Sequence, residues 1–237
     1  MSSMYLSPEH FIQIAAGNVK KTTHINKFGY NASVGTSFET IHDASNLYSY
    51  IANAGTATVA GASDSGAVIK IEGLDANYNL LTEDVTVGGT SSGSFIRVYR
   101  ATVKSLTSGT TNAGNITITV DSAVRATILA GNGQTLMCVY TIPAGKTGYL
   151  IKFQGSMEKQ KECEFRILTK AHNNGVFNIK GQFGAFGSTV TYDYPVPLKI
   201  EEKTDIEIRS RAGATTGMGA IFDIILIRSE ASCRERV

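Results

Sequence analysis

"TDIEIRSRAGATTGMGAIFDIILIRS", residues 204–229, carries the reading of the fold. In its first half Ile206 and Ile208 alternate with Asp205, Glu207 and Arg209, the period of two that a strand with one buried face requires. A glycine-rich turn follows. Then "AIFDIILI" (220–227) is apolar at almost every position and reads as a central strand covered on both faces. Asp223 in its middle therefore needs a backbone amide or an arginine as partner, or a place at a sheet end or an interface.

Working upstream, residues 123–230 supply eight segments of this kind, namely "AVRATILA", "QTLMCVYTI", "TGYLIKFQGSM", "ECEFRILTKA", "GVFNIKGQF", "STVTYDY" and the two above. Each is bounded by Gly, Pro, Asn or Ser. "IPAGKTGYL" (142–150) is a turn in which Pro143 presets φ. Pro195 and Pro197 exclude a central strand over 193–200, because proline cannot donate to the ladder. Residues 55–122 repeat the pattern in "GTATVA", "AVIKIEG", "LLTEDVTVG", "SFIRVYRATV" and "NITITV". Strands at this spacing with no helix between them predict an all-β chain. We expect one or two antiparallel β-sandwich domains, jelly-roll-like from the count of eight, with topology left open. The division into 55–122 and 123–230 is soft, since "NITITVDSAVRATILAG" (115–131) could be two strands of one domain. No period of 20–50 residues marks a solenoid or propeller.

The first 54 residues read differently. "SPEHFIQIAAGN" (7–18) predicts one short helix near 8–16, with Ser7 as cap, Pro8 in its first position and Gly17 as its stop. Residues 26–50, "NKFGYNASVGTSFETIHDASNLYSY", have no period of either kind and form, with the helix, an irregular N-terminal arm. Residues 231–237 are a polar tail.

Composition narrows the function. Of 237 residues 42% are hydrophobic and 18% charged, with a net charge of +2. That balance excludes nucleic-acid binding by a broadly basic surface. No apolar run approaches the ~18 residues of a membrane helix, and the N-terminal charges follow the apolar run, unlike a signal peptide. Synthesis in a reducing cytoplasm is expected. Three cysteines at no ligand spacing form no disulfide framework. Cys138 reads as a buried free thiol, Cys163 as able to face solvent, and Cys233 lies in the tail.

The search for chemistry finds little. His10, His24, His42 and His172 are scattered, without the spacing of a metal site. "GNGQ" and "GGTSSG" lack the lysine and helix of a phosphate loop. Glu162, Glu164, Glu201, Glu202, Asp205 and Glu207 interleave with lysines and arginines, which reads as a solvated mixed-charge face rather than a glycosidase pair. There is no GxSxG, and no cysteine has a histidine base nearby. We expect no enzyme, metal or cofactor. One constellation remains: Phe177, Phe183, Phe186, Tyr192 and Tyr194 among the glycines of 173–197. It reads either as a long loop tucked into the sandwich end or as a contact for glycan or subunit.

The phrases "KFGYN" (27–31), "SFETIHDASNLYSY" (37–50), "IEGLDANYNLLTEDVTVGG" (71–89), "FIRVYRATV" (95–103), "AGNITITV" (113–120) and "ILAGNGQTLMCVYTIPAGKTGYL" (128–150) resemble a group of virion structural proteins of tailed, podovirus-type phages. "VPLKIEEKTDIEIRSRAG" and "FDIILI" continue the likeness. It implies a virion protein such as a head decoration, knob, head fibre or tail component. It also implies a homo-oligomer, first guessed a trimer, and partners such as the major capsid protein. In that setting residues 26–50 would be a docking strap whose anchors Phe28, Tyr30, Phe38, Ile41, Tyr48 and Tyr50 bury against partner chains. The plainer alternative is that the segment covers an edge of its own sandwich. A receptor-binding adhesin that holds host surface glycans through 177–194 is the competing class.

Overall fold

The computed structural model describes residues 8–43, 46–159 and 161–229. A helix, α1 (Pro8–Ala15), precedes a long strand β1 (Thr22–Val34) and a two-residue strand β2 (Glu39–Thr40). Six strands follow: β3 (Gly55–Ala60), β4 (Val68–Asp75), β5 (Leu80–Thr86), β6 (Thr90–Ser105), β7 (Ile116–Val120) and β8 (Ala123–Ile128). The chain continues through β9 (Val139–Thr141), β10 (Lys146–Met157), β11 (Glu162–Lys170), β12 (Asn178–Phe186), β13 (Val190–Ile200), β14 (Asp205–Ala212) and β15 (Thr216–Arg228). The chain is all-β apart from α1 and one short 3₁₀ turn.

Two sheets make a sandwich. One has the order β1-β15-β10-β13; the other has β12-β11-β14 followed by β2, with β9 pairing the same edge of β14. Counting β2 and β9 as halves of one strand gives eight strands in the orders 1-8-3-6 and 2-7-4-5, which is a jelly roll. The halves are collinear: Thr40 and Glu39 oppose Arg209 and Ser210, while Val139 to Thr141 oppose Glu207 to Asp205. At the splice Cys138 N donates to Ile41 O at 2.8 Å, and Ile208 bridges both halves, donating to Cys138 O and accepting from Ile41 N. Between the halves the chain leaves to form a third, six-stranded antiparallel sheet, β5-β4-β6-β3-β7-β8. Its inward residues share one core, among them Val59, Ile69, Ile71, Phe95, Val98, Ile118 and Ile128, which requires the sheet to curl on itself.

The sandwich core follows the period of two. Ile206, Ile208 and Ala212 of β14 meet Met218, Ala220, Phe222, Ile224 and Leu226 of β15, with Leu150 and Phe153 of β10 and Phe165 and Ile167 of β11. All eight expected segments of 123–230 are strands. The eighth strand of the sandwich, however, is β1, and β8 belongs to the insertion. The expected boundary at 122/123 is therefore crossed by the pairing of β7 with β8, and the two units are 46–137 and the segments on either side of it.

Residues 22–34 correct the reading of an irregular arm. Ile25 turns inward against the sandwich core, but the next inward residues are Lys27, Gly29 and Asn31, all buried, while Phe28 and Tyr30 face outward. Over 27–31 the apolar alternation is inverted, so the strand does not announce itself. Gly29 lies against the splice, where a Cβ would come within 2.5 Å of both Cys138 N and Ile41 O. The helix occupies the expected residues and ends in a Schellman turn: Asn18 N donates to Gln13 O, Gly17 N to Ile14 O, and Gly17 takes φ +77°.

Pro195 and Pro197 lie in β13, which is an edge strand and not a central one, and its pairing with β10 breaks there in a bulge, from Lys152–Asp193 to Leu150–Leu198. Asp223 sits on the outer face of β15, where it accepts a hydrogen bond from Asn26 Nδ2 at 2.7 Å and pairs with His24 Nε2 at 3.0 Å. Burial works against its charge, yet these two partners hold it below the usual carboxylate range. That outer face is only partly covered, with Ile221 and Ile227 still exposed. Cys138 and Cys163 are both free and buried. The expected exposure of Cys163 fails because it alternates in phase with Phe165 and Ile167. Cys233 and the tail lie outside the described residues.

Candidate functional site

The six anchors expected to dock on partner chains are engaged within this one. Ile41 is fully buried in the sandwich core. Tyr48 is buried in the insertion core, and its hydroxyl donates to Val98 O at 3.0 Å. Tyr50 donates to the Glu207 carboxylate at 3.0 Å. Phe38 is held between two guanidiniums, with Arg166 at 3.9 Å and Arg211 at 4.9 Å from its ring centre. Phe28 lies under Arg100, and Tyr30 donates to Glu158; burial and that carboxylate push the phenol up to about 12. Through these contacts the segment staples its own body together.

The staple converges on a charged cluster where the insertion meets the sandwich. Arg97 of β6 reaches across to Asp205 of β14 in a two-pronged pair, Nε to Oδ1 at 2.8 Å and Nη2 to Oδ2 at 2.9 Å. Its remaining nitrogen donates to Ile96 O and Ile51 O, and its plane lies near the rings of Tyr50 and Tyr78, 5.1 and 5.4 Å away. Thr141 and Lys170 complete the surroundings of Asp205 at 2.7 and 3.3 Å. Glu207, two residues on, is fully buried with Arg209 and Tyr50 as partners. Burial raises the Glu207 carboxyl above its ordinary value. Burial also opposes the charge on Arg97, but the hydrogen bonds and charge of Asp205 keep it above its ordinary value.

Asp205 and Glu207 thus correct the reading of a solvated mixed-charge face. The non-core face of β14 at this end is covered by the insertion, and Phe177 adds a further ring against Lys170 and Arg209. Each acid is engaged by cations and hydroxyls of the chain itself. The cluster is a clamp. Glu164, by contrast, stays at the surface with Arg166 and Arg211.

A second contact runs along the same strand. Lys27 of β1 donates to Tyr99 O of β6, and Tyr99 packs edge-on against Tyr140. Lys27 is almost wholly buried with no carboxylate in contact. Burial, helped by Arg100, lowers its ammonium to about 7. Every second residue of β6 here, Arg97 and Tyr99, faces the sandwich, and Arg100 reaches round to Asn26 O.

The second aromatic group divides. Residues 178–200 are not a long loop but the edge strands β12 and β13, one on each sheet, joined at 187–189. Phe183 stacks on Phe153 of the core at 5.1 Å, and Tyr192 and Tyr194 continue the series outward. Phe177 belongs to the clamp. Phe186 and Tyr192 are exposed, together with Val176, Ile179 and Val196, the last at 81%. Next to this edge a groove of about 1040 Å³ runs between α1 and the outer face of the first sheet. It is lined by Phe11, Ile14, Ile151, Tyr194, Pro195 and Ile225. The lining also includes His24, Lys152, Asp193 and Asp223, and the groove adjoins the edge strand β13.

Among the described residues no group of three or more His, Cys, Asp or Glu is placed to hold a metal, and no helix is long and apolar enough to cross a membrane. His42 is partly buried against Asn46 and Tyr48, and His172 lies edge-on to Tyr78. No protein-family model matches the chain, and no curated protein matches it.

Proposed function

We propose that this chain is a non-enzymatic structural protein of a tailed-phage virion, a capsid decoration, knob or head-fibre component that assembles as a homo-oligomer. The observation that carries the reading is the set of exposed apolar side chains on β12, β13 and the α1 groove, on a body whose clamp acids are internally engaged. Monomeric soluble proteins seldom keep large apolar side chains such as Phe186 and Val196 exposed along open strand edges. A rigid jelly roll clamped to its insertion suits assembly, where partners meet with little rearrangement. The resemblance in phrase to podovirus-type virion proteins supplies the setting.

The test is assembly. Sedimentation of the purified chain alone and with capsid shells measures self-association and capsid binding, and the double variant Phe186→Lys, Val196→Lys places charge on the edge. Loss of both with an unchanged far-UV spectrum is the expected result; unchanged assembly overturns it. The adhesin reading draws on the rings among these same exposed side chains, Tyr192 and Phe186. Binding on an array of host surface glycans that Tyr192→Ala abolishes would favour it.

A further inference from the structure

The geometry points to an oxyanion-binding site, for a phosphate or sulfate group, at the end of the first sheet where Lys21, Lys146 and Arg228 surround an open pocket of about 650 Å³. This inference is independent of the assembly reading. Lys146 begins β10 and Arg228 ends β15, and the two are direct cross-strand partners. Arg228 N donates to Lys21 O at 3.0 Å, which places the third cation beside the same strand end. Thr23 adds a hydroxyl to the lining, whereas the Thr22 hydroxyl donates to Val19 O and the Asn79 amide donates to Asp75 Oδ2; Ala144 and Gly145 complete the lining.

Like charges directly opposite each other on neighbouring strands destabilise a sheet. Lys146 and Arg228 have that arrangement, and Lys21 adds a third charge from a left-handed backbone, φ +63°. Arg97, Lys170, Arg166, Arg211 and Lys104 have carboxylates, whereas Lys27 and Arg100 are held by backbone carbonyls. These three make no ion pair with any described residue. The carboxylates on the flanking turns are committed: Glu202 accepts Gly145 N, and Asp75 accepts the N–H of Asn77 and Asn79. Three cations with no carboxylate among the described residues, and the Thr23 hydroxyl in the same lining, match a tetrahedral oxyanion, which accepts from several donors at once. A phosphate or sulfate could arrive as a free ion or carried on an acidic surface polysaccharide.

Both sources are tested on the full chain. Thermal unfolding is followed in sodium phosphate and in sodium sulfate against sodium chloride at equal ionic strength, and with a sulfated disaccharide against its unsulfated parent. We expect a saturable rise in Tm with phosphate or sulfate beyond chloride. A sulfated sugar that binds more tightly than the free ions identifies the carried group, and equal binding identifies the free ion. Lys146→Gln and Arg228→Gln should each weaken binding about tenfold, the effect of losing one charged hydrogen bond. Without ligand both variants should be as stable as the parent or more so, because the opposed charges are relieved. Lys152→Gln, which removes a lysine paired with Asp193 in the other groove, should bind as the parent does. The inference is overturned by no saturable shift, by unchanged binding in both site variants, or by variants that lose stability without ligand.

Discussion

Replacing Arg97 with methionine removes the charge at the junction of the two units while keeping most of the side-chain volume. Asp205 would then retain Thr141 at 2.7 Å and Lys170 at 3.3 Å but lose both prongs of its principal partner. Breaking a buried pair by removing one member costs ~3–5 kcal/mol, because the other charge stays buried. Lys170 offsets part of this. The carbonyls of Ile51 and Ile96, each losing a donor, add to it by about 1 kcal/mol apiece. The expected destabilisation is about 4 kcal/mol. The assay is equilibrium urea unfolding followed both by far-UV circular dichroism and by tyrosine fluorescence, since the chain has no tryptophan. Because the pair joins the insertion to the sandwich, the variant should also split one transition into two. Asp205→Leu combined with Arg97→Met should cost less than the two single changes together, with a coupling of at least about 2 kcal/mol. A loss below about 1 kcal/mol for Arg97→Met, or simple additivity in the cycle, would refute the clamp.

Lys27 makes stability depend on alkaline pH. Its pKa falls from 10.5 in the unfolded chain to about 7 in the folded one, so between those values the unfolded chain holds a proton that the folded one lacks. Its contribution is complete above the upper value and is lost as pH falls toward 7, an effect on the order of a few kcal/mol; Lys27→Met should flatten that slope in urea titrations, and an unchanged slope counts against the buried placement. Gly29→Ala should cost about 3 kcal/mol by overpacking against the backbone of the splice, seen as a fall in Tm of roughly 6–12 °C; an unaltered Tm means β1 does not lie there. Deleting residues 1–17 should leave a folded body by size exclusion and circular dichroism, whereas deleting 1–50 removes β1, β2 and all three tyrosines of the staple and should leave it unfolded. A folded 51–237 fragment would restore the reading of those residues as a detachable strap.

The strands that sequence makes legible are those whose buried face is apolar. β14 and β15 show it directly, and so does the phase that puts Cys163 beside Phe165. β1 does not, because over 27–31 the residues turned inward are Lys27, Gly29 and Asn31, suited to contacts with Tyr99 O and the splice and not to hydrophobic burial. The divided strand is half hidden for another reason: Val139–Thr141 falls in the expected segment "QTLMCVYTI", but Glu39–Thr40 is too short to show a period, and only their shared partner reveals the two as one. Asp205 and Glu207 mislead because alternation gives the face a residue occupies but not what covers that face. The exposed positions Phe186 and Tyr192 are found by composition, yet the same rule names Ile41 and Tyr48, which fill cores. Aromatic content marks a contact without saying whether the other side is the same chain.

The splice between Ile41 and Cys138 has a consequence for the order in which the chain can fold. Closing the second sheet requires two points separated by the whole of residues 42–137 to meet, and the entropy of closing a loop grows with its length. The insertion supplies the means. Its outgoing end is tied down by Arg125, which donates to Ser49 O at 2.8 Å, and its returning end by Thr135 N to Ala101 O and Val103 N to Gly133 O on β6. Once the six-stranded sheet has formed from its nearby strands, the two ends emerge side by side, and for the sandwich the long loop has become a tight turn. Contacts local to the insertion thereby precede the distant ones they make possible. In a chain emerging from a ribosome, β1 and β2 would wait unpaired until the insertion is complete and β14 and β15 arrive to pair with them.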